Sequence, residues 1–225
     1  MILVGCPIKD RAWAIPYWLS GILSQDDPDI HVCALYSKSE DNTEQLLKEN
    51  DVEILYDEEE GRPVDHIDNH YWARERYDYM ARLRNRLVEH ALEIDADYFF
   101  SVDSDIVLPP TALVQLLQWA GGQWHGAISP SLKMTPEDEN WGQEAWNVMH
   151  WAAHRPDYPI RYYPPCTGRA DVIMAAMLLD RSGMTCRWSH NDCGEDVGFC
   201  LDARAKSVPL WWVKEIQCRH IMHRA

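Results

Sequence analysis

The sequence lacks any apolar run approaching the roughly 20 residues that a helix needs to cross a bilayer. Its first apolar stretch, Ile2-Leu3-Val4, is too short for a secretory signal peptide. The seven cysteines form no CxxC pair, and several lie inside apolar runs, as reduced core cysteines do. These features predict a cytoplasmic protein with no membrane span.

Basic residues are scarce: 21 Lys and Arg are set against 36 Asp and Glu, for a formal net charge of −15. Such a surface repels polyanions at long range, which argues against broad, non-specific nucleic-acid binding. A modified nucleic acid would bind as an acceptor only in a local basic groove, so that partner is not favoured. The loop after the first predicted strand holds a single glycine, Gly5, and no glycine-rich cradle for a triphosphate.

Apolar residues make up 46% of the chain, as in globular proteins with a real core. The predicted strands are residues 2–6, 30–36, 52–56, 98–102, 124–128 and 210–213. The predicted helices are residues 10–22, 44–50, 70–94, 111–120 and 197–206. Their alternation over residues 1–128 predicts an α/β fold with a parallel, doubly wound sheet, whereas residues 129–170 are predicted to be rich in loops.

Two aspartates follow the predicted strand that ends at Val102: Asp103 and Asp105, separated by Ser104. Divalent cations accept one or two protein carboxylates together with substrate phosphates, so a metal-bound diphosphate is one interpretation. An Asx-rich turn is the other. Because ligands of doubly wound sheets bind beyond the carboxyl ends of the strands, the position of the pair favours the metal site.

Four ordered features resemble the nucleotide-sugar glycosyltransferases of the GT-A fold that carry a DxD motif, those similar to family 2. They are Gly5-Cys6-Pro7 opening a βα unit, Arg84-Asn85, Asp103-Ser104-Asp105, and Glu195-Asp196 followed by a histidine near the carboxyl terminus. The resemblance covers most of the chain. It implies a single GT-A-like domain with a Rossmann-like, mostly parallel central sheet flanked by helices.

The resemblance divides this domain into a nucleotide-sugar-binding half, residues 1–128, and a loop-rich acceptor half, residues 129–225. It implies a metal-dependent enzyme that moves a sugar from a nucleotide-diphosphate donor, a UDP- or GDP-sugar, to a hydroxyl-bearing acceptor. The implied cofactor is Mn²⁺ or Mg²⁺, which would stabilise the diphosphate as a leaving group. The absence of a membrane stem suggests a bacterial or viral source.

The resemblance also assigns the donor site. The metal ligands would be Asp103, Asp105 and His220, with His223 as an alternative to the histidine. The predicted donor-binding residues are Arg84, Asp103, Ser104 and Asp105 of the shared motifs, together with Pro7, Arg11 and Asp41, which the strand-end rule places along the same edge of the sheet. For Asp41, capping of the following helix is an equal alternative. For Arg84, the alternative is a solvent-exposed charge on the surface of its helix.

In inverting relatives the aspartate of the Glu-Asp dipeptide takes the acceptor's proton. This makes Asp196 the expected base and Glu195 an acceptor contact. The alternative is a pair of acids that stabilises a helix amino terminus. Flat aromatic faces suit sugars, so Trp141, Trp146 and Trp188 are acceptor-site candidates, with core packing as their alternative.

Two other functions compete with sugar transfer. A nucleotidyltransferase would share an α/β sheet and acidic metal ligands, but it would need the missing glycine-rich loop. A non-catalytic carbohydrate-binding protein would use the tryptophans and hold a metal only for structure.

Overall fold

A computed structural model describes residues 1–26, 29–57, 74–134, 146–153, 155–161 and 166–221 of the protein. Within these ranges the α-helices are Ile15–Leu23 (α1), Thr43–Glu49 (α2), Arg74–Glu93 (α3), Ala112–Gln118 (α4) and Glu195–Ala205 (α5). Short 3₁₀ helices cover Trp119–Gly122 and Gly183–Thr185.

The strands within the described ranges fall in two sheets. They are Ile2–Ile8 (β1), Ile30–Tyr36 (β2), Glu53–Tyr56 (β3), Tyr98–Val102 (β4), Ile106–Val107 (β5), Ala127–Met134 (β6), Val148–Ala152 (β7), Arg155–Arg161 (β8), Gly168–Arg169 (β9), Val172–Ile173 (β10), Ala176–Leu179 (β11) and Leu210–His220 (β12).

The larger sheet has the order β3-β2-β1-β4-β11-β6-β12-β5, with β9 paired to β12. Strands β3, β2, β1 and β4 are parallel to one another, and so are β6 and β12. Strand β11 runs antiparallel to both β4 and β6. The predicted mostly parallel α/β sheet is therefore confirmed. The smaller sheet, β10-β7-β8, is antiparallel.

Helices cover both faces of the larger sheet, which buries its central strands almost completely. In β1 the side chains of Ile2, Val4 and Cys6 lie in one apolar core with residues of α1, α2 and α4. Leu3 points the other way, into a second core with residues of α3 and α5. This burial on both sides explains why β1 reads as a continuous apolar run.

The structure differs from the sequence predictions at the ends of several elements. Strand β1 continues through Pro7 to Ile8 rather than ending at the proline. Helix α1 begins at Ile15, so Pro16 lies in the first turn, where a missing N–H costs little. Strand β12 extends to His220, well beyond the predicted Val213.

The largest difference lies between residues 129 and 170, which were predicted to be rich in loops. The described part of this region contains most of β6, the hairpin of β7 and β8, and the short strand β9. Proline, tryptophan and histidine obscure the strand alternation there. The predicted loop over residues 57–69 and the first residues of the predicted helix 70–94 lie almost wholly outside the described residues.

Among the described residues, no helix combines the length and apolar character that crossing a membrane requires.

Gly5 provides a test of the close packing of β1 against β2. A Cβ at this position would lie 2.5 Å from the Cys33 carbonyl oxygen and 3.5 Å from Leu87 Cδ2. Because backbone cannot give way as a flexible side chain does, Gly5→Ala should lower the free energy of unfolding by about 1–3 kcal/mol in urea denaturation.

Gly168→Ala, in strand β9, is the matched control because no atom lies within 4 Å of the added Cβ. We expect a change within about 0.5 kcal/mol. Equal effects of the two substitutions would contradict the packing argument.

Candidate active site

The candidate site lies beyond the carboxyl end of β4, where Asp103 begins a tight turn. The Asp103 N–H donates to Ala175 O at 2.9 Å, and Ile106 N–H donates back to Asp103 O at 2.9 Å. The indole N–H of Trp18 donates to Val102 O at 3.2 Å, which holds the end of the strand. The turn is therefore anchored on both sides, and its two carboxylates project from a rigid frame.

Arg84 of α3 is the buried centre of the site, with 3% relative exposure. Its Nη2 lies 2.8 Å from Asp103 Oδ1, and its Nε lies 3.2 Å from Glu195 Oε1 and 3.9 Å from Asp196 Oδ1. Its Nη1 also donates to Ser101 Oγ at 3.2 Å. One guanidinium therefore joins the Asp-Ser-Asp turn to the Glu-Asp dipeptide across the sheet.

Burial makes ionisation of the carboxylates costly despite this cation. Burial, opposed by Arg84 and assisted by Asp105, raises the pKa of Asp103 to about 6. Burial and the neighbouring charge of Asp196 raise the pKa of Glu195 to about 7. Both pKa values are raised towards neutral pH, a shift that is common among residues of acid–base chemistry.

Asp196 is held by two N–H donors at the first turn of α5. Its Oδ1 accepts from Trp188 Nε1 at 2.7 Å, and its Oδ2 accepts from Ala175 N at 3.1 Å. Ala175 has a φ of 64°, a conformation that costs a non-glycine residue roughly 1–2 kcal/mol. The same peptide segment thus positions Asp103 through its carbonyl and Asp196 through its N–H.

The Trp188 segment is fixed by α3 and α5. Asn85 donates its Nδ2 to Trp188 O at 2.8 Å and accepts from Trp188 N–H at 2.8 Å. Gly198 of α5 permits this approach, since a Cβ there would lie 2.0 Å from Ser189 O. The Arg84-Asn85 pair therefore organises the site twice, through the carboxylates and through the tryptophan that holds Asp196.

His220 reaches the site because the end of β12 pairs with β5. Its Nε2 lies 3.6 Å from Asp105 Oδ2, and Ile221 N–H donates to Asp105 O at 2.9 Å. Burial would raise the pKa of Asp105, but His220 and then Arg11 lower it. Trp146 packs on the imidazole with ring centroids 5.0 Å apart.

The three predicted metal ligands offer two carboxylates, which suit both Mn²⁺ and Mg²⁺, and one imidazole, a ligand that Mg²⁺ seldom takes. Asp105 and His220 are already adjacent, whereas Asp103 is turned toward Arg84. Among the described residues, these three do not form a set whose donor atoms all lie within 4.8 Å of one another. The residues fit a divalent ion in kind, and side-chain rotation would accompany its binding.

Two cations approach the site in an otherwise acidic chain. The charge of Arg11 lowers the pKa of Asp105. Arg76, in the first turn of α3, has a pKa lowered by burial and then by Arg11, while Glu195 opposes the shift. Arg76 was not predicted as a site residue, because it lies next to a predicted loop and no motif surrounds it. Two arginines that repel each other beside carboxylates suit an anionic ligand.

Several predicted site residues have other contacts in the structure. Asp41 accepts hydrogen bonds from the N–H groups of Ala12 and Thr43, which supports the helix-start alternative for this residue. Trp188 is 2% exposed and stacked on Phe199, so its prediction as a sugar-stacking platform is wrong. Its indole N–H instead donates a hydrogen bond to Asp196.

The remaining predicted residues are placed as follows. Pro7 lies within β1, and Ser104 is buried in the turn with 5% exposure. Trp146 contacts His220, and its role at the acceptor site stays a prediction. Trp141 and His223 lie outside the described residues.

Residues 1–123 match the family model described as glycosyltransferase family 25, N-terminal domain. The chain belongs to glycosyltransferase family 25. The expected glycosyltransferase resemblance is therefore confirmed for the half of the chain that carries the Asp-Ser-Asp turn.

Two curated relatives agree with this family. Procollagen galactosyltransferase 1 of Danio rerio is 30% identical over 118 residues, which cover 48% of this chain and 20% of the relative. Procollagen galactosyltransferase 1-B of Xenopus laevis is 34% identical over 86 residues, which cover 34% of this chain and 14% of the relative. The family 25 chain thus spans about a fifth or less of the length of the curated relatives it matches.

Solved structures share the fold at low sequence identity. A crystal structure of S. aureus TarS 1-349 has a TM-score of 0.68 at 12% identity, covering 98% of this chain and 60% of that one. GalNAc-T7 with UDP, GalNAc and Mn²⁺ has a TM-score of 0.67 at 10% identity, covering 99% of this chain and 44% of that one. The mannosyltransferase PcManGT of Pyrobaculum calidifontis with GDP-Man and Mn²⁺ has a TM-score of 0.56 at 15% identity. The match covers 97% of this chain and 56% of that one. The expected GT-A fold is confirmed.

The raised pKa of Glu195 predicts how stability depends on pH. Its value is about 7 in the folded protein against an ordinary 4.5, so the folded state holds the proton more tightly than the unfolded chain. The free energy of unfolding of the metal-free protein should therefore fall as pH rises between these two values. Glu195→Gln should flatten this slope in denaturant titrations across that pH range.

The exposed Glu89→Gln on α3 serves as the matched control, and it should leave the slope unchanged. A slope that survives Glu195→Gln intact would show that the buried glutamate does not carry the effect.

Proposed function

We propose that this domain is a metal-dependent glycosyltransferase that moves a sugar from a nucleotide-diphosphate donor to a hydroxyl acceptor. The observation that carries the proposal is the contact of Arg84 with Asp103 and with Glu195. It joins a turn suited to a metal-bound diphosphate to a dipeptide suited to proton abstraction. Membership of family 25 supports the reaction class.

On the donor side, Asp105, His220 and Asp103 would hold Mn²⁺ or Mg²⁺. When bound, such an ion neutralises a diphosphate and stabilises it as a leaving group. Arg11 and Arg76 lie near the same carboxylates and would contact the phosphates. Two solved relatives are named as complexes with Mn²⁺, one with UDP and one with GDP-Man, which supports a nucleotide-sugar donor.

On the acceptor side, Asp196 would accept the proton of the attacking hydroxyl, with inversion at the anomeric carbon. Two N–H donors fix the orientation of its carboxylate, as a general base requires. Each oxygen keeps a further lone pair for the incoming proton. Glu195, which pairs with Arg84, would contact the acceptor.

Arg84 is better suited to position the carboxylates than to bind phosphate directly. Its guanidinium is buried and already engaged by Asp103, Glu195 and Ser101. A buried cation in such contacts cannot leave without exposing unpaired charges. We therefore assign phosphate contact to the two less buried arginines, Arg11 and Arg76.

The curated relatives are named procollagen galactosyltransferases. We therefore propose UDP-galactose as the first donor to test, followed by other UDP- and GDP-sugars. A hydroxyl-bearing polypeptide is the first acceptor class to test. The net charge of −15 keeps nucleic acid as the less favoured acceptor.

Asp105→Ala tests the metal site. It removes a carboxylate that no neighbour replaces, so Mn²⁺-dependent release of nucleoside diphosphate should fall by about 100-fold or more. The measurement is nucleoside diphosphate released from UDP-galactose at increasing Mn²⁺ concentration. Asp26→Ala, at an exposed position outside the site, is the control. Unchanged release by the Asp105 variant would sink the assignment.

Asp196→Asn tests the base. The amide keeps the size of the side chain but cannot take a proton, so transfer to acceptor should fall by about 100- to 10,000-fold. Donor binding, measured by calorimetry, should remain. Glu195→Gln should lose less transfer activity than Asp196→Asn. For the wild-type enzyme, proton NMR of the product should show an inverted anomeric configuration. If the glutamine variant is the inactive one, the base is Glu195 instead.

A further inference from the structure

A second cluster of metal-ligating side chains lies away from the candidate active site, between α3 and the edge of the larger sheet. Cys33 of β2, Glu53 of β3 and His90 of α3 have donor atoms that all lie within 4.8 Å of one another. These residues belong to three separate elements and play no part in the proposed sugar transfer. They offer one sulfur, one oxygen and one nitrogen to a common point.

His31 lies beside this set through its contact with Glu53, without sharing the mutual distances of the three members. Its Nε2 lies 2.6 Å from Glu53 Oε2, and His90 Nε2 lies 2.9 Å from the same oxygen. The carboxylate thus faces two imidazoles at once. Cys33 is completely buried, His90 has 13% side-chain exposure, and Glu53 and His31 have 34% and 44%. The cluster is closed on the core side and reaches solvent on the other.

The strand register produces this convergence. Cys33 and Glu53 are partners in the parallel pair of β2 and β3. His31 precedes Cys33 by two residues and so lies on the same face of the strand. Helix α3 crosses this face, since Leu87 and Val88 share the apolar core of Cys33. His90 follows one turn later, at the height of the cluster.

We propose that Cys33, Glu53 and His90 bind one Zn²⁺ ion in a structural site, with the imidazole of His31 turning inward from Glu53 as the fourth ligand. Zinc takes four ligands in tetrahedral geometry from cysteine, histidine and carboxylate side chains. A site with four protein ligands leaves no open position for a substrate, which is typical of structural zinc. The thiolate favours zinc over Mg²⁺ and Mn²⁺, so this site and the proposed donor site select different ions.

A carboxylate lies near the second ring nitrogen of His90, just beyond hydrogen-bonding distance. This nitrogen, Nδ1, lies 3.9 Å from Glu93 Oε2 on the next turn of α3. Metal-bound histidines commonly direct their second nitrogen toward a carboxylate, which fixes the ring and strengthens the ligand. The ion would join the edge strand β3 and the last turns of α3 to β2. Its expected effect is therefore on stability rather than on the chemical step.

Cobalt provides the probe, because a cobalt–thiolate bond gives a charge-transfer band in the near ultraviolet. The reduced, chelator-treated protein should bind Co²⁺ with this band at one equivalent per chain, and added Zn²⁺ should remove the band. Zn²⁺ should also raise the melting temperature of the wild-type protein, since a ligand that binds only the folded state stabilises it.

Cys33→Ser should abolish the thiolate band and lower zinc affinity by at least about tenfold, and His90→Gln should lower the affinity by a similar factor. Cys186→Ser, at another buried free cysteine, is the matched control and should keep both properties. Asp105→Ala should also keep them, which separates this site from the donor site.

Two results would overturn the proposal. One is a wild-type protein that binds Co²⁺ without the thiolate band and gains no thermal stability from Zn²⁺. The other is a zinc affinity that is unchanged in a folded His90→Gln variant. If Cys33→Ser does not fold, the wild-type spectrum and the histidine variant still decide the question.

Discussion

The buried guanidinium of Arg84 holds together the carboxylates on which the proposed chemistry depends. A charge at 3% exposure is costly unless it is paired, and Asp103 and Glu195 pair it directly. The buried carboxylates need the cation in turn, because Arg84 is the positive charge that they share. Helix α3, the end of β4 and the start of α5 are thereby held in one relative position. Burial raises the pKa values of Asp103 and Glu195, the neighbouring carboxylates add to the rise, and Arg84 opposes it.

This arrangement reconciles an acidic chain with an anionic donor. The net charge of −15 would repel a nucleotide sugar if it were spread evenly. Arg11 and Arg76 instead place positive charge beside the acidic cluster, and a divalent ion would add more. Membership of family 25 favours sugar transfer over nucleotidyl transfer and over simple carbohydrate binding. The absent glycine-rich loop agrees with this preference.

Two tryptophans near the site position polar groups through their indole N–H, and one of them, Trp188, was expected from the sequence to stack on sugar. Trp18 holds the end of β4, Trp188 holds Asp196, and Trp146 packs on His220. An indole suits this role because it fills a core and still offers one directed N–H donor. Composition showed that tryptophan is abundant but carried no information about direction. The acceptor prediction therefore failed at Trp188.

Local pattern alone determined the order of strands and helices in the first half, and with it the placement of Asp103 and Asp105 beyond β4. Apolar runs and helical spacing are properties of neighbouring residues, so the sequence displays them directly. Tertiary structure decided which groups meet. The partners of Arg84 lie 19 and 111 positions away in sequence, and His220 depends on the long-range pairing of β12 with β5. Strands β7 and β8 also escaped prediction, because their pairing rather than their composition makes them strands. Such contacts depend on register and crossing geometry, which no local pattern records.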